Sequence, residues 1–471
     1  MLLLGAAMTA IASGQDFTSL IAFTYANGAA PSAPLVQGPN GDLYGTTTYG
    51  GTCSLYDLGC GTVFKVSPAG RLTTLRTFSG PDGAFPSSGL LLDTDGNFYG
   101  TTEGGGANCG SSNGCGTLYR MTPSGDLTTL YSFCSLANCA DGEEPAGPLV
   151  QAGFGDIYGT TSFGGGSVAY GTVFRITSEG ALSTLHSFTD PTKGNQPTGL
   201  VESVTGEFYG TTAAGGAQGY GTVFQITSSG EFTILYNFCS QTDCADGESP
   251  SALIQATSGN FVGTAERGGD PACSQGCGTV FEITSTGIFS LFHSFTGPDG
   301  FSPGAGVTQA ADGNFYGTTV EGGYSYQCPG GCGTIFELTN GGTFTTLYDM
   351  SAFAVASDPR AALFQAANGI LYGSTVVGGY DGAGTLFAMN SRLAPYVITV
   401  PHAGIVGEPV KILGYGLKQA TGVSFNGTPA QFTIISGTEI STTVPAGAKG
   451  GSVEVTTPHG VLYSFPFIVG P

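Results

Sequence analysis

Tyr158-Gly159-Thr160-Thr161-Ser162-Phe163-Gly164-Gly165, then five residues, then Gly171-Thr172-Val173-Phe174-Arg175-Ile176-Thr177, is one copy of a phrase that recurs along this chain. The first half starts at Tyr44, Tyr99, Tyr158, Tyr209, Val262, Tyr316 and Tyr372, and the second at Gly61, Gly116, Gly171, Gly221, Gly278, Gly333 and Gly384. The copy at Val262 is degenerate and reads Val-Gly-Thr-Ala. Spacings of 55, 59, 51, 53, 54 and 56 residues mark a radial or solenoidal array.

Each copy holds four strand-sized segments. In the first they are 33–37, 43–48, 61–67 and 72–78, with Pro39-Asn40-Gly41-Asp42 and Ala69-Gly70 as turns. Asn-Gly and Asp-Gly turns between β-branched and aromatic runs predict hairpins. Four antiparallel strands per copy describe a propeller blade. Six copies continue into a fourth strand, whereas the seventh leaves through Ser391-Arg392-Leu393 without one. Residues 17–23, Phe-Thr-Ser-Leu-Ile-Ala-Phe, fit the missing strand. A first strand that completes the last blade leaves no blade open, whereas a solenoid would want caps at both ends. The expected fold is therefore all-β, a seven-bladed β-propeller over residues 15–392 closed by the N-terminal strand.

The unit at 158–177 resembles the bacterial GloVer tandem repeat of choice-of-anchor tandem repeat GloVer-containing proteins. The likeness covers all seven copies, and the fifth departs at Val262 and Ala265. It implies an exported bacterial protein and brings no activity or catalytic residues to transfer. Residues 393–471 look like an IPT/TIG domain. Their alternating short strands point independently to an immunoglobulin-like β-sandwich.

Composition agrees with export. Gly is 81 of 471 residues, but it recurs at fixed positions, and 31 Phe supply a core, so the glycine reads as turns rather than disorder. Trp is absent, which removes indole platforms for sugars. Residues 1–14 read as a signal peptide, an apolar stretch ending in small residues without the usual basic start. No segment reaches the length of a transmembrane helix. The net charge is −21, and all of the excess lies before residue 394, because the C-terminal segment has three acids and three bases. Such a surface repels nucleic acid and anionic lipid.

Twelve cysteines fall into six close pairs, Cys53/Cys60, Cys109/Cys115, Cys134/Cys139, Cys239/Cys244, Cys273/Cys277 and Cys328/Cys332. Local even pairs suit disulfides, and no pair has the spacing of a zinc site. Between the Gly-Gly pair and the Gly-Thr motif, copies one, two, five and six have nine, nine, eight and nine residues and a cysteine pair. Copies three, four and seven have five, four and four residues and none. The two longest connections between copies carry the remaining pairs. Long loops are stapled, and in a blade these loops all lie on one face.

That face also carries Asp82, Asp141, Glu143, Glu144, Asp190, Asp246, Glu248 and Asp299. Converging carboxylates would suit Ca²⁺ or a cationic ligand, although Asp-Gly is also an ordinary turn dipeptide. No nucleophile elbow, phosphate loop or zinc-protease motif is present, so no catalytic residue is assigned. His186 and His293 share a fourth-strand position with Arg76, Tyr131, Tyr236 and Tyr348 and read as surface residues. Two functions remain. One is a non-enzymatic secreted or cell-surface protein that binds a glycan or protein through the stapled face. The other is a secreted carbohydrate-active hydrolase or lyase using acids at the propeller mouth.

Overall fold

A computed structural model describes residues 16–470, apart from 54–55, 109–114, 153–154, 169, 325–327, 329 and 351–355. The expected signal peptide lies outside the described residues. Among them there is no α-helix, and none long and apolar enough to cross a membrane. Strands dominate, gathered into small antiparallel sheets.

Each copy of the repeat builds one sheet in chain order. The third is typical, with Glu143–Gln151, Ile157–Phe163, Thr172–Ile176 and Leu182–Ser187 side by side. Seven such sheets are found among the described residues, the fifth with its first strand split into Glu248–Pro250 and Ile254–Gln255. In the seventh, the outer strand is the N-terminal Asp16–Ala22, which pairs antiparallel with Thr385–Asn390.

The recurring phrase supplies the contacts within and between sheets. Its Gly lies under the aromatic ring of the next strand, and a Cβ at Gly317 would meet Phe336 Cζ at 2.5 Å. Its Tyr packs on the neighbouring copy, Tyr44 tilted against Phe98 at 4.3 Å and Tyr209 stacked on Phe261 at 4.0 Å. Its second Thr faces the Thr of the Gly-Thr motif, with Oγ1–Oγ1 distances of 2.7 Å for Thr47 and Thr62 and 2.8 Å for Thr161 and Thr172. In the fifth copy Ala265 stands in that place, and the buried Thr279 hydroxyl has no partner.

Contacts from each copy to the next also join the seventh to the first. A Cβ at Gly61 (φ +90°) would lie 2.5 Å from Pro86 Cδ of the second copy, and one at Gly384 (φ +96°) 2.7 Å from Pro31 Cδ of the first. The Ala311 amide donates to Gln365 Oε1 at 2.9 Å, and the Ala367 amide donates in the same way to Gln37 Oε1. Ser374 Oγ donates to the Pro31 carbonyl at 2.9 Å.

After residue 393 the chain forms two further sheets. One contains Ile398–Val400, Pro409–Leu413, Glu439–Thr443 and Phe432–Ile434, and the other is built on Gly451–Thr457 and Gly460–Val469. They share one apolar core that includes Val410, Ile412, Ile440, Val453, Val455 and Phe467.

Candidate functional site

The loops fall on two sides. Within each repeat sheet, the connection from the previous copy and the loop between strands two and three sit together, bridged by Ala29–Tyr49, Ala84–Gly104, Phe301–Glu321 and Ser357–Val377. The tight hairpin turns lie at the other end. There the C-terminal module is seated. Tyr415 Oη donates to the Gly41 carbonyl at 3.1 Å, Thr438 Oγ1 to Pro39 at 2.7 Å, and Tyr396 Oη to Gln365 at 2.6 Å. Val400 and Leu413 join the apolar cluster of Tyr44, Leu92 and Met121, and His402 Nε2 lies 3.5 Å from Glu202 Oε2. The side left open is the one with the disulfides.

Five disulfides are described, Cys53–Cys60, Cys134–Cys139, Cys239–Cys244, Cys273–Cys277 and Cys328–Cys332. Cys115 is also disulfide-bonded, and Cys109, its expected partner, lies outside the described residues. Each described bridge falls in a long loop or connection.

Four aspartates, Asp82, Asp141, Asp246 and Asp299, are held by their own connection and by the fourth strand before it. Asp141 is fully buried, and its carboxylate accepts from Tyr131 Oη, the Ser135 amide and Ser135 Oγ, each at 2.8 Å, and from the Leu136 amide at 3.1 Å. Asp246 is buried identically, against Tyr236, Ser240 and the Gln241 amide. Asp299 accepts from the Thr296 amide and hydroxyl at 2.8 and 2.9 Å and lies 2.9 Å from His293 Nε2. Asp82 accepts from the Ser79 amide and hydroxyl, both at 2.7 Å, and pairs with Arg76. Burial pushes the Asp82 carboxyl upward, but bonds from Arg76 and Ser79 outweigh it and hold the pKa below the usual range. Asp299 is lowered in the same manner, with burial opposed by His293 and Thr296. Asp190 caps the short turn Pro191–Lys193 through the Thr192 amide.

Arg76, Tyr131, Tyr236 and His293 are thus anchors for the connections rather than plain surface residues. Burial raises the Glu144 and Glu248 carboxyls, with neighbouring acids adding to both and Arg267 opposing the rise at Glu248. Glu143 stands opposite Phe163 in the third sheet. The structure does not gather these acids. Among the described residues, the only three-residue groups with ligand atoms within 4.8 Å of one another are Cys115, Cys134 and Cys139, and Cys239, Cys244 and Glu248. Their sulfurs are all in disulfides.

Two features on the open side escaped the sequence reading. The first is a left-handed residue before a proline in every copy, with φ of 53–60° at Ala30, Phe85, Glu144, Gln196, Ser249, Ser302 and Asp358. Each amide donates into the preceding copy, as Phe85 does to Cys60 at 2.9 Å and Ala30 to Ala383 at 2.8 Å. Non-glycine residues avoid this region unless their surroundings impose it. The kink turns the chain into the first strand, and the residue after the proline is Ser in three copies and Ala, Thr, Gly or Arg in the others. The visible signal was a proline 13 residues ahead of the second-strand motif in most copies.

The second is a central cavity of about 580 Å³ to which every copy contributes, through Pro34, Ser87, Gly147, Thr198, Ser251, Gly304 and Arg360. Glu266 also lines it, and Ser87 Oγ is hydrogen-bonded to Glu103. Burial raises the Glu103 carboxyl, partly offset by that bond.

The loops and connections on this side also hold the exposed large apolar residues Tyr25, Leu58, Leu136, Val168, Tyr220, Tyr324 and Tyr380, the last two 72% and 99% exposed. Among the described hairpin turns only Val204 and Ile288 are comparable.

These features define an all-β repeat protein built from four-stranded sheets. The profile of the Gloeobacter/Verrucomicrobia repeat matches residues 4–135, 57–275 and 250–408, and the chain belongs to that repeat family. No curated protein matches it. Solved structures similar to it include a putative gluconolactonase at 12% identity, covering 81% of this chain and 94% of that one with a TM-score of 0.40. A gluconolactonase from Xanthomonas campestris is 14% identical over 65% of this chain and 86% of that one, with a TM-score of 0.40. A luciferin-regenerating enzyme is 10% identical over 65% and 92%, with a TM-score of 0.39.

Proposed function

We propose that this chain is an exported, non-enzymatic binding protein that takes a glycan or protein ligand on its disulfide-stapled side. In this reading the seven sheets over residues 15–392 are blades of a closed propeller. Residues 393–471 are an immunoglobulin-like module of the IPT/TIG kind that occupies the opposite face, and residues 1–14 are a signal peptide.

The observation that carries the proposal is the placement of exposed side chains. Single exposed apolar residues, such as Leu291 on an outer strand and Val406, Ile435, Val461 and Tyr463 in the C-terminal module, are ordinary, but within the repeat sheets seven on the loop side against two in the hairpin turns mark an interaction surface. Tyrosines present a flat apolar ring and a polar tip at low entropic cost, which suits recognition. Disulfides across the long loops fix that surface before a ligand arrives, so less ordering is lost on binding. Five disulfides also fit an oxidising compartment.

A panel of polysaccharides and extracellular proteins, assayed for both retention and cleavage, tests this reading. Binding without turnover, weakened at least tenfold by Tyr324→Ala with Tyr380→Ala, is the expected result. Turnover, or binding indifferent to both changes, refutes it.

A further inference from the structure

The central cavity borders two clefts beneath the C-terminal module. Ile254 and Thr308 line both the cavity and a cleft under the C-terminal module, whose far wall is His402, Phe465 and Ile468. Phe364 likewise lines both the cavity and a second cleft beneath Ile398 and Val400. Ile254, Thr308 and Phe364 are therefore the residues common to the cavity and those clefts.

The wall is largely apolar, and its side-chain hydroxyls present acceptors. Ser87 donates its hydroxyl proton to Glu103, and Thr308 donates to the Leu363 carbonyl. Thr211 donates to the Ser251 carbonyl at 2.7 Å, so in its 2.6 Å contact with Thr198 the proton comes from Thr198. A hydroxyl has one proton and two lone pairs. With their protons committed elsewhere, Ser87, Thr198 and Thr308 offer oxygen lone pairs, and Glu266 adds a carboxylate. The one guanidinium, Arg360, has its Nε directed to Asp358 at 2.7 Å. Because Arg360 is ion-paired with Asp358 and Glu266 has no ion pair among the described residues, a complementary ligand supplies donors and carries no net negative charge. A volume of about 580 Å³ lies within the usual range for a small-molecule site.

Resting on the stapled-side reading, we propose that Ile254, Thr308 and Phe364 floor this cavity and that it holds the terminal residue of a non-anionic glycan, its hydroxyl groups donating to Ser87, Thr198, Thr308 and Glu266. The rest of the chain then runs outward over the tyrosine-bearing loops. Recognition is of a chain end, because an internal stretch cannot pass the floor.

Titration calorimetry with size-graded linear neutral gluco-oligosaccharides, chitosan oligosaccharides and oligogalacturonates tests the proposal. The expected outcome is one protein per neutral or amino-sugar chain at every length, with oligogalacturonates at least tenfold weaker. Ala213→Trp, which intrudes on the cavity, and Glu266→Gln should each weaken binding at least tenfold while the thermal midpoint stays within about a degree. Stoichiometry that rises with chain length, equal binding of oligogalacturonates, or no binding by the whole panel overturns the proposal. If Tyr324→Ala with Tyr380→Ala abolishes binding but Ala213→Trp does not, the cavity assignment falls and the stapled-side reading stands. Binding insensitive to all of these variants removes both.

Discussion

Replacing Ala265 with threonine should stabilise the protein, and replacing Thr161 with valine should destabilise it. Ala265 faces Thr279 in the fifth sheet as Thr161 faces Thr172 in the third. Thr161 Oγ1 donates to the Phe163 carbonyl at 2.8 Å, so the Thr172 hydroxyl donates to Thr161, and the Thr172 amide also approaches that oxygen at 3.1 Å. Valine keeps the volume and leaves the Thr172 hydroxyl buried without an acceptor, the condition Thr279 already occupies. An unsatisfied buried hydroxyl costs about 1–3 kcal/mol, so Thr161→Val should lose about 2 kcal/mol. Ala265→Thr would accept from Thr279 and donate to the Arg267 carbonyl two residues on. A gain of about 1–2 kcal/mol is expected, or about 2 °C in a chain of this size. Calorimetry and urea titration followed by tyrosine circular dichroism measure both. A lower midpoint for Ala265→Thr together with a neutral Thr161→Val would refute the threonine pair as the clasp of each sheet.

Acid should loosen the connections. The folded pKa values of Asp82 and Asp299 lie below their unfolded ones, so their stabilisation is complete above about pH 4 and is lost as pH falls through the folded values. Hydrogen exchange at residues 79–85 and 296–302 should rise first on acidification, and uniform exchange across the chain would contradict this. Glu103 has the opposite sign, because its raised folded pKa favours the protonated form. Glu103→Gln should therefore raise the midpoint at neutral pH, with the advantage disappearing below about pH 4. A pH-independent difference would count against burial as the cause.

The four-stranded sheets and the return of residues 16–22 to the last sheet were legible because each rests on local chemistry: Gly at positive φ, Thr facing Thr, Phe over Gly. The duties of Asp141 and Asp246 were not. An Asp-Gly turn looks the same whether its carboxylate faces water or is buried under a tyrosine ten residues earlier. Sequence also gave the loop face without its centre. The cavity is lined by residues from every copy, and which of its hydroxyls present lone pairs depends on bonds that no spacing records. The seat of the C-terminal module depends on a few contacts, such as Tyr396 to Gln365, with no motif to announce them.

The most direct test is hydrogen exchange with and without whichever glycan or protein the panel identifies. Protection is predicted in the loops and connections at 24–34, 48–60, 103–115, 212–221, 320–333 and 376–384, with the hairpin turns and residues 394–470 unchanged. Protection confined to those turns or to the C-terminal module would contradict the account.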